Sequence, residues 1–272
     1  LKAIRYSLFR EVAFAGDVIS GPKLTALADF VNLLANHYPT ARTDERQLVG
    51  DAVVGNVRLN GSRGEQAKAV FGDLSDWLIA QGTDARLSIS DWQNEFMAAE
   101  RRHGSPFPVT AKWQHCRGSS DKFRGFTCGI WTSLHALTVR VYLDNVADNN
   151  FTALPVLKTI RNWVDHFFSC RECRGHFILL TTKLYSMESK AKQPHDVFMY
   201  MWKVHNTVNA RLKGSDTEDP QYPKYQFPAP FLCPQCSKDG IFDEYQVRQF
   251  LLRYYTDVKR DGVFAQETLK FL

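Results

Sequence analysis

Residues 167–177 read FFSCRECRGHF. Cys170 and Cys173 stand three apart between arginines, and the surrounding pattern is that of a helix start. Ser169 followed three residues later by Glu172 has the S-x-x-E form of a capping box. That form makes Ser169 the expected N-cap, Cys170 the first helical residue and Cys173 one turn in. At such a position unpaired backbone N–H groups and the positive end of the helix dipole favour a thiolate near Cys170, and Arg171 and Arg174 add positive charge. Side chains three apart on a helix have Cβ atoms about 5–6 Å apart, whereas a relaxed disulfide needs roughly 3.8 Å. A bond between the two sulfurs therefore requires a local adjustment, and a disulfide under that demand is of the labile, exchangeable kind.

A second CxxC, Cys233 with Cys236, arrives about sixty residues later. Zinc ribbons space their knuckles by about 15–20 residues, and here a whole expected helix intervenes, so spacing lends zinc no support. A buried structural disulfide and a zinc site both remain open readings on these residues alone. Thioredoxin-like chemistry lacks its βαβ surroundings. The remaining cysteines, Cys116 and Cys128, complete three tight groups. Six cysteines allow fifteen pairings; proximity favours the three nearest-neighbour pairs, which belong in an oxidising compartment.

With 44% apolar and 13% aromatic residues, the 272-residue chain is that of a globular protein. Its 34 basic and 29 acidic residues are interspersed, without the basic stripe of a nucleic-acid binder. No window approaches 18 uninterrupted apolar residues, so no membrane span is expected in this piece. The start, LKAIRYSLFREVAF, has no leader pattern and begins at Leu1, which suggests a processed or excised part of something longer.

Helical periodicity dominates the rest. PKLTALADFVNLLANHYP places Leu24, Leu27, Phe30, Val31 and Leu34 on one face, and EQAKAVFGDLSDWLIAQG does so with Ala69, Val70, Leu74, Trp77 and Leu78. ISDWQNEFMAAERRH is a helix with Ser90 or Asp91 as its cap. Residues 40–65, with VVGNVRL bracketed by glycines, read as loop. A Gly/Pro break at 104–108 marks a boundary, since all six cysteines and six of the eight histidines lie beyond it. Past it, helices are expected over 126–146, 154–167, from SCRE onward, over 195–212 with Gly214 as a stop, and over DEYQVRQFLLRYYTDV. The stretch PQYPKYQFPAPFLCPQCSKDG, with four prolines after Gln221, reads as irregular. The expected fold is all-α: two helical-bundle modules, residues 1–108 and 109–272.

A cycling CxxC needs an electron acceptor. There is no G-x-G-x-x-G loop, hence no nucleotide-binding sheet to hold a flavin in the common way. Three segments stand out instead. RGFTCGIWTSLHAL sets Cys128, Trp131 and His135 on one helical face; RECRGHF sets Glu172 and His176 four apart beside the thiols; MWKVHNTVNARL groups Trp202, His205, Asn206 and Asn209. A single histidine on an apolar face is ordinarily a core residue. Three such segments beside a redox-prone CxxC supply the rings and amides that a large planar heteroaromatic ligand needs.

The set FRGFTCGIWTSLH, FFSCRECRGHF and WKVHNTVNARL, followed by EDPQYPKYQFP and CPQC, resembles the flavin-binding domain of the Erv/ALR sulfhydryl oxidases, and specifically the carboxy-terminal half of the quiescin sulfhydryl oxidases. The motifs run from about Trp113 to Val258. The resemblance implies a four-helix FAD-binding bundle with an extra C-terminal helix, preceded by a helix-rich, flavin-free module over residues 1–108 that stands where smaller relatives place a second subunit, and hence a monomer. It implies thiol oxidation with dioxygen as acceptor and hydrogen peroxide as product. Cys173 falls next to the isoalloxazine and Cys170 faces the incoming dithiol. Arg124, Trp131, His135, Glu172, His176, Trp202, His205, Asn206, Asn209, Lys224 and Phe227 fall on FAD-contact positions. The family often has aspartate at Glu172 and tryptophan at Phe227. Single-domain Erv proteins carry a cysteine at Trp202, so this chain sides with the quiescin branch. The thioredoxin-like domain through which that branch meets protein thiols is absent from the chain, and the implied location is the secretory pathway or outside the cell.

Cys116 and Cys128 enclose a short loop and read as a structural clip, worth about 3 kcal/mol in the chain-entropy model. For Cys233 and Cys236 both a shuttle and a local staple remain open. No resident metal is expected. Two rival classes stand beside the oxidase: a zinc- or disulfide-stapled interaction module, and a dithiol–disulfide carrier with no oxygen step.

Overall fold

The computed structural model describes residues 1–40 and 62–256. Most of the loop expected over 40–65 lies outside them, as does the end of the last helix.

The amino-terminal half begins with a helix that the sequence did not announce. α1 (Lys2–Tyr6) continues through a π-helical stretch, Ser7–Glu11, into α2 (Val12–Phe14). α3 (Pro22–His37) has proline at its first turn, where the missing N–H costs nothing, and Leu24, Leu27, Phe30, Val31 and Leu34 are all buried as expected. α4 (Arg63–Gln81) starts at a full capping box: Ser62 Oγ accepts from Glu65 N–H, and Glu65 accepts from Ser62 N–H. Its buried face is Ala67, Val70, Phe71, Leu74 and Leu78. Ala69 and Trp77 are only half-buried, a rotation of the expected stripe caused by Phe71 pointing in. α5 (Ile89–Arg102) is capped by Ser88, whose Oγ accepts from Asp91 N–H at 3.0 Å. The cap is thus earlier than Ser90 or Asp91, because Arg86–Ser88 pairs as strand β2 with β1 (Val18–Ser20) and the helix starts where that ribbon stops.

Beyond an irregular passage, the second half forms an antiparallel bundle from α6 (Gly125–Asp144), α7 (Ala153–Phe167), α8 (Arg171–Leu179) and α10 (Asp196–Leu212), with the short α9 (Met187–Lys190) between α8 and α10. α8 runs on into a π-helical segment, Leu180–Leu184. α11 (Glu244–Thr256) lies against α6. The proline-rich stretch before it is not wholly irregular: Pro234–Cys236 forms a 3-10 turn leading into the small ribbon β3 (Ser237–Lys238) and β4 (Ile241–Phe242).

The two halves share one buried cluster, from Ile4 to Leu251. α3 packs on α7, with Phe30 stacked on Trp163 at 5.1 Å, and α1 packs on α6. Gly129 is what lets α1 approach: a Cβ there would meet Ala3 Cβ and the Trp113 ring at 2.9 Å.

Candidate functional site

The helix start at the CxxC differs from the capping-box expectation. Cys170, not Ser169, is the N-cap of α8; its backbone is extended (φ −68°, ψ 96°) and its Sγ accepts from Cys173 N–H at 3.3 Å. Ser169 is otherwise engaged: its N–H and its hydroxyl both donate to the Glu11 carboxylate, at 2.7 and 3.0 Å. Glu172 faces solvent and lies 3.6 Å from His176 on the same exposed face. The extended residue before the helix is the local adjustment that an i, i+3 pair requires, and Cys170 and Cys173 are joined by a disulfide. Both are exposed, at the positive end of α8 beside Arg171 and Arg174.

One turn after Cys173 on α8, buried Phe177 meets Trp131 edge-on at 6.2 Å. Trp131 stacks on His205, 4.2 Å between ring centroids and 6° between planes. His205 Nδ1 and His135 Nε2 share a hydrogen bond of 2.9 Å, and Tyr255 of α11 stacks on His135 at 5.1 Å. Burial lowers the His135 pKa to about 4, and burial, His135 and Lys224 hold His205 well below the usual imidazole range. Both rings are therefore neutral near pH 7, one nitrogen donating and the other accepting.

Next to this stack lie two cations. Lys224 is lowered by burial and then by Arg124. Arg124 is the N-cap of α6 at φ 62°, a left-handed conformation costly for a side-chain-bearing residue. Its Nη2 donates to His115 O at 2.8 Å and its guanidinium lies over Tyr222 at 4.3 Å, while its Nε is buried without a hydrogen-bond partner.

The structure brings Trp131, His135, His205, Lys224 and Arg124 to one region. Trp202, Asn206 and Asn209 hold the neighbouring loop. Asn206 donates to Phe227 O at 2.7 Å and accepts from Phe227 N–H at 2.8 Å, Trp202 Nε1 also donates to Phe227 O, and Asn209 donates to Tyr225 O. Together they pin the 225–227 loop, whose Phe227 packs on Phe250, Tyr254 and Tyr255 and precedes a cis proline. Sequence reasoning missed Phe177 and Tyr255. The signal for the first was its place one turn after Cys173; for the second, the paired aromatics at the end of α11.

The three nearest-neighbour disulfides all form. Each CxxC closes on itself, so the four thiols build no shared metal cage, and no cluster of three or more metal-binding side chains occurs among the described residues. Cys233 and Cys236 are 1% and 0% exposed, sealed beneath the β3–β4 ribbon, where Asp243 N–H donates to Cys236 O. That placement suits a staple. No described helix is long and apolar enough to cross a membrane.

Residues 128–228 match the Erv1 / Alr family model. The chain is 33% identical over 246 residues to sulfhydryl oxidase 1 of Gallus gallus, covering 88% of this chain and 29% of that protein. It is 32% identical over 263 residues to human sulfhydryl oxidase 2, covering 93% and 33%. It thus spans about a third of the length of the curated relatives it matches. The solved sulfhydryl oxidase fragment of human QSOX1 superposes with a TM-score of 0.76 at 28% identity, covering 93% of this chain and 92% of that one. An exposed CxxC disulfide set against a tryptophan–histidine stack in a helical bundle thus lies within a chain whose residues 128–228 match the Erv1 / Alr family and which is similar over most of its length to sulfhydryl oxidases.

Proposed function

We propose that this chain is the electron-transfer core of an FAD-dependent thiol oxidase, which converts dithiols to disulfides and dioxygen to hydrogen peroxide. The observation that carries the reading is the exposed Cys170–Cys173 disulfide at the positive end of α8, linked through Phe177 to the Trp131–His205–His135 stack.

A substrate thiolate attacks Cys170 Sγ, the bond to Cys173 breaks, and Cys173 leaves as a thiolate. The second substrate thiol attacks the substrate sulfur of the mixed disulfide and releases Cys170. The substrate has lost two electrons and two protons, and the CxxC pair holds them. Arg171, Arg174 and the N-terminus of α8 lower the cost of the thiolates.

The residues present fit FAD. Trp131, His135, His205 and Phe227 offer flat faces to a heteroaromatic ring. Lys224 and Arg124 crowd each other's charge, and the buried Arg124 Nε is unpaired, a combination that a pyrophosphate would relieve. Held there, FAD would supply the two-electron acceptor for the CxxC pair and the chemistry that reduces dioxygen. Glu172 and His176 would flank the ring from α8, while Trp202, Asn206 and Asn209 act on it through the loop they hold as well as at their own positions. Residues 1–108 act as a flavin-free module in the place of a second subunit, so the chain works as a monomer. Protein thiols reach it through a thioredoxin-like domain outside this chain, in the secretory pathway or beyond the cell.

Absorbance of the purified protein and oxygen uptake with dithiothreitol test the reading. The expected result is a stoichiometric flavin spectrum and dithiol-dependent peroxide. Cys170→Ser and Cys173→Ser should keep the spectrum and lose turnover. A colourless protein, or turnover in either variant, overturns the assignment; reduction without oxygen uptake makes it a carrier.

A further inference from the structure

The amino-terminal half places a buried carboxylate directly behind the CxxC. Glu11 ends the π-helical stretch Ser7–Glu11 and is 2% exposed. That stretch is clamped to α5: Trp92 Nε1 donates to Leu8 O at 2.8 Å and Gln93 Nε2 to Phe9 O at 3.2 Å, while Arg5 forks onto Glu100 at 2.6 and 2.9 Å. Burial raises the Glu11 pKa, and the two bonds that oppose the rise both come from Ser169. Burying a carboxylate against neutral donors is costly where an apolar side chain would fill the same space, so packing alone does not account for Glu11.

The sequence around Ser169 explains what that carboxylate does. Ser169 and Glu172 form a sound capping box by pattern, and such a cap stabilises a helix by about 1 kcal/mol. Were it to form, Cys170 would become helical and its Cβ would stand about 5–6 Å from that of Cys173, too far for a disulfide. Glu11 takes the Ser169 N–H that the Glu172 carboxylate would accept in the box and draws the Ser169 hydroxyl toward itself and away from the Glu172 N–H, so the competing cap does not form and Cys170 keeps the extended backbone that permits the bond. We propose that Glu11 is a positioning residue for the Cys170–Cys173 couple: by occupying Ser169 it suppresses the Ser169–Glu172 capping box and biases the pair toward the disulfide. The amino-terminal module then sets the redox poise of a centre to which it contributes no sulfur. This inference rests on the oxidase reading only in taking Cys170–Cys173 as the couple that exchanges.

The test is the equilibrium of the intact protein with glutathione under anaerobic conditions, in which the protein disulfide gains two electrons and two protons and two glutathiones become one glutathione disulfide. Acid quench, alkylation and tryptic digestion follow; cleavage after Arg171 and Arg174 puts Cys170 and Cys173 in separate peptides. Glu11→Met, similar in size and without an atom that can hold the Ser169 donors, should move the equilibrium about fivefold or more toward the dithiol, the factor that a ~1 kcal/mol cap implies. Glu11→Asp, too short to reach both donors, should shift it the same way and serves if the methionine variant does not fold. In a Ser169→Ala background, which has no competing cap to suppress, the Glu11→Met shift should shrink to under about twofold. An unchanged equilibrium in both Glu11 variants overturns the proposal, and so does a shift undiminished in the Ser169→Ala background. Failure of the oxidase reading would show separately, as wild-type exchange with glutathione but no oxygen uptake.

Discussion

His135 is 3% exposed, and its partners are two aromatic rings and a second histidine. Its pKa falls from 6.5 to about 4 because burial disfavours the imidazolium. Between those values the unfolded chain binds a proton that the folded one refuses, so stability is lost as pH falls through that window. The single-site loss is about 2 kcal/mol between pH 7.5 and 5. Denaturant unfolding at the two pH values should show a smaller pH dependence in His135→Gln than in the parent. The raised carboxyl of Glu11 works in the opposite sense but is common to both proteins and cancels in the difference. The histidines and Trp131 were legible in the sequence because i, i+4 spacing on a helix is a local property. Tyr255 and Glu11 were not, since the partner that brings each to the site, His135 or Ser169, is more than a hundred residues away.

At the level of the element, three serines show how far a capping signal can be trusted. Ser62 has its Glu65 and forms the box. Ser88 caps α5 two residues before the first site suggested by composition, because a strand ends there. Ser169 has its Glu172 and forms no box, because Glu11 holds it. The local code names the candidates, and long-range packing picks among them. Ser62→Ala should therefore lower the unfolding free energy by about 1 kcal/mol, read from chemical denaturation, with flavin content and turnover unaltered. The missed ribbons and the first helix have the same origin: strands of two or three residues and a helix with a π-helical middle carry almost no periodic signal.

At the scale of the whole molecule, the change in composition near residue 104 was legible, but the continuity of the core across it was not. Apolar stripes on α3 and α7 can be read one at a time; that Phe30 of one stacks on Trp163 of the other cannot. Because buried residues run unbroken between the halves, removing that ring should be felt everywhere. Phe30→Ala is expected to cost about 3–5 kcal/mol, and calorimetry should show one transition displaced as a unit, with loss of flavin tracking it. A first transition confined to the amino-terminal half would contradict the shared core.

Of the three sulfur pairs, Cys170–Cys173 has both members exposed, Cys233–Cys236 has both buried, and Cys116–Cys128 joins a buried sulfur at 7% exposure to a half-buried one. A water-soluble phosphine in modest excess should thus liberate two titratable thiols per native chain and reach six only after denaturant is added. The surface alone makes this couple chemically addressable without protecting groups or cysteine-free variants: a label placed after gentle reduction reports on Cys170 and Cys173.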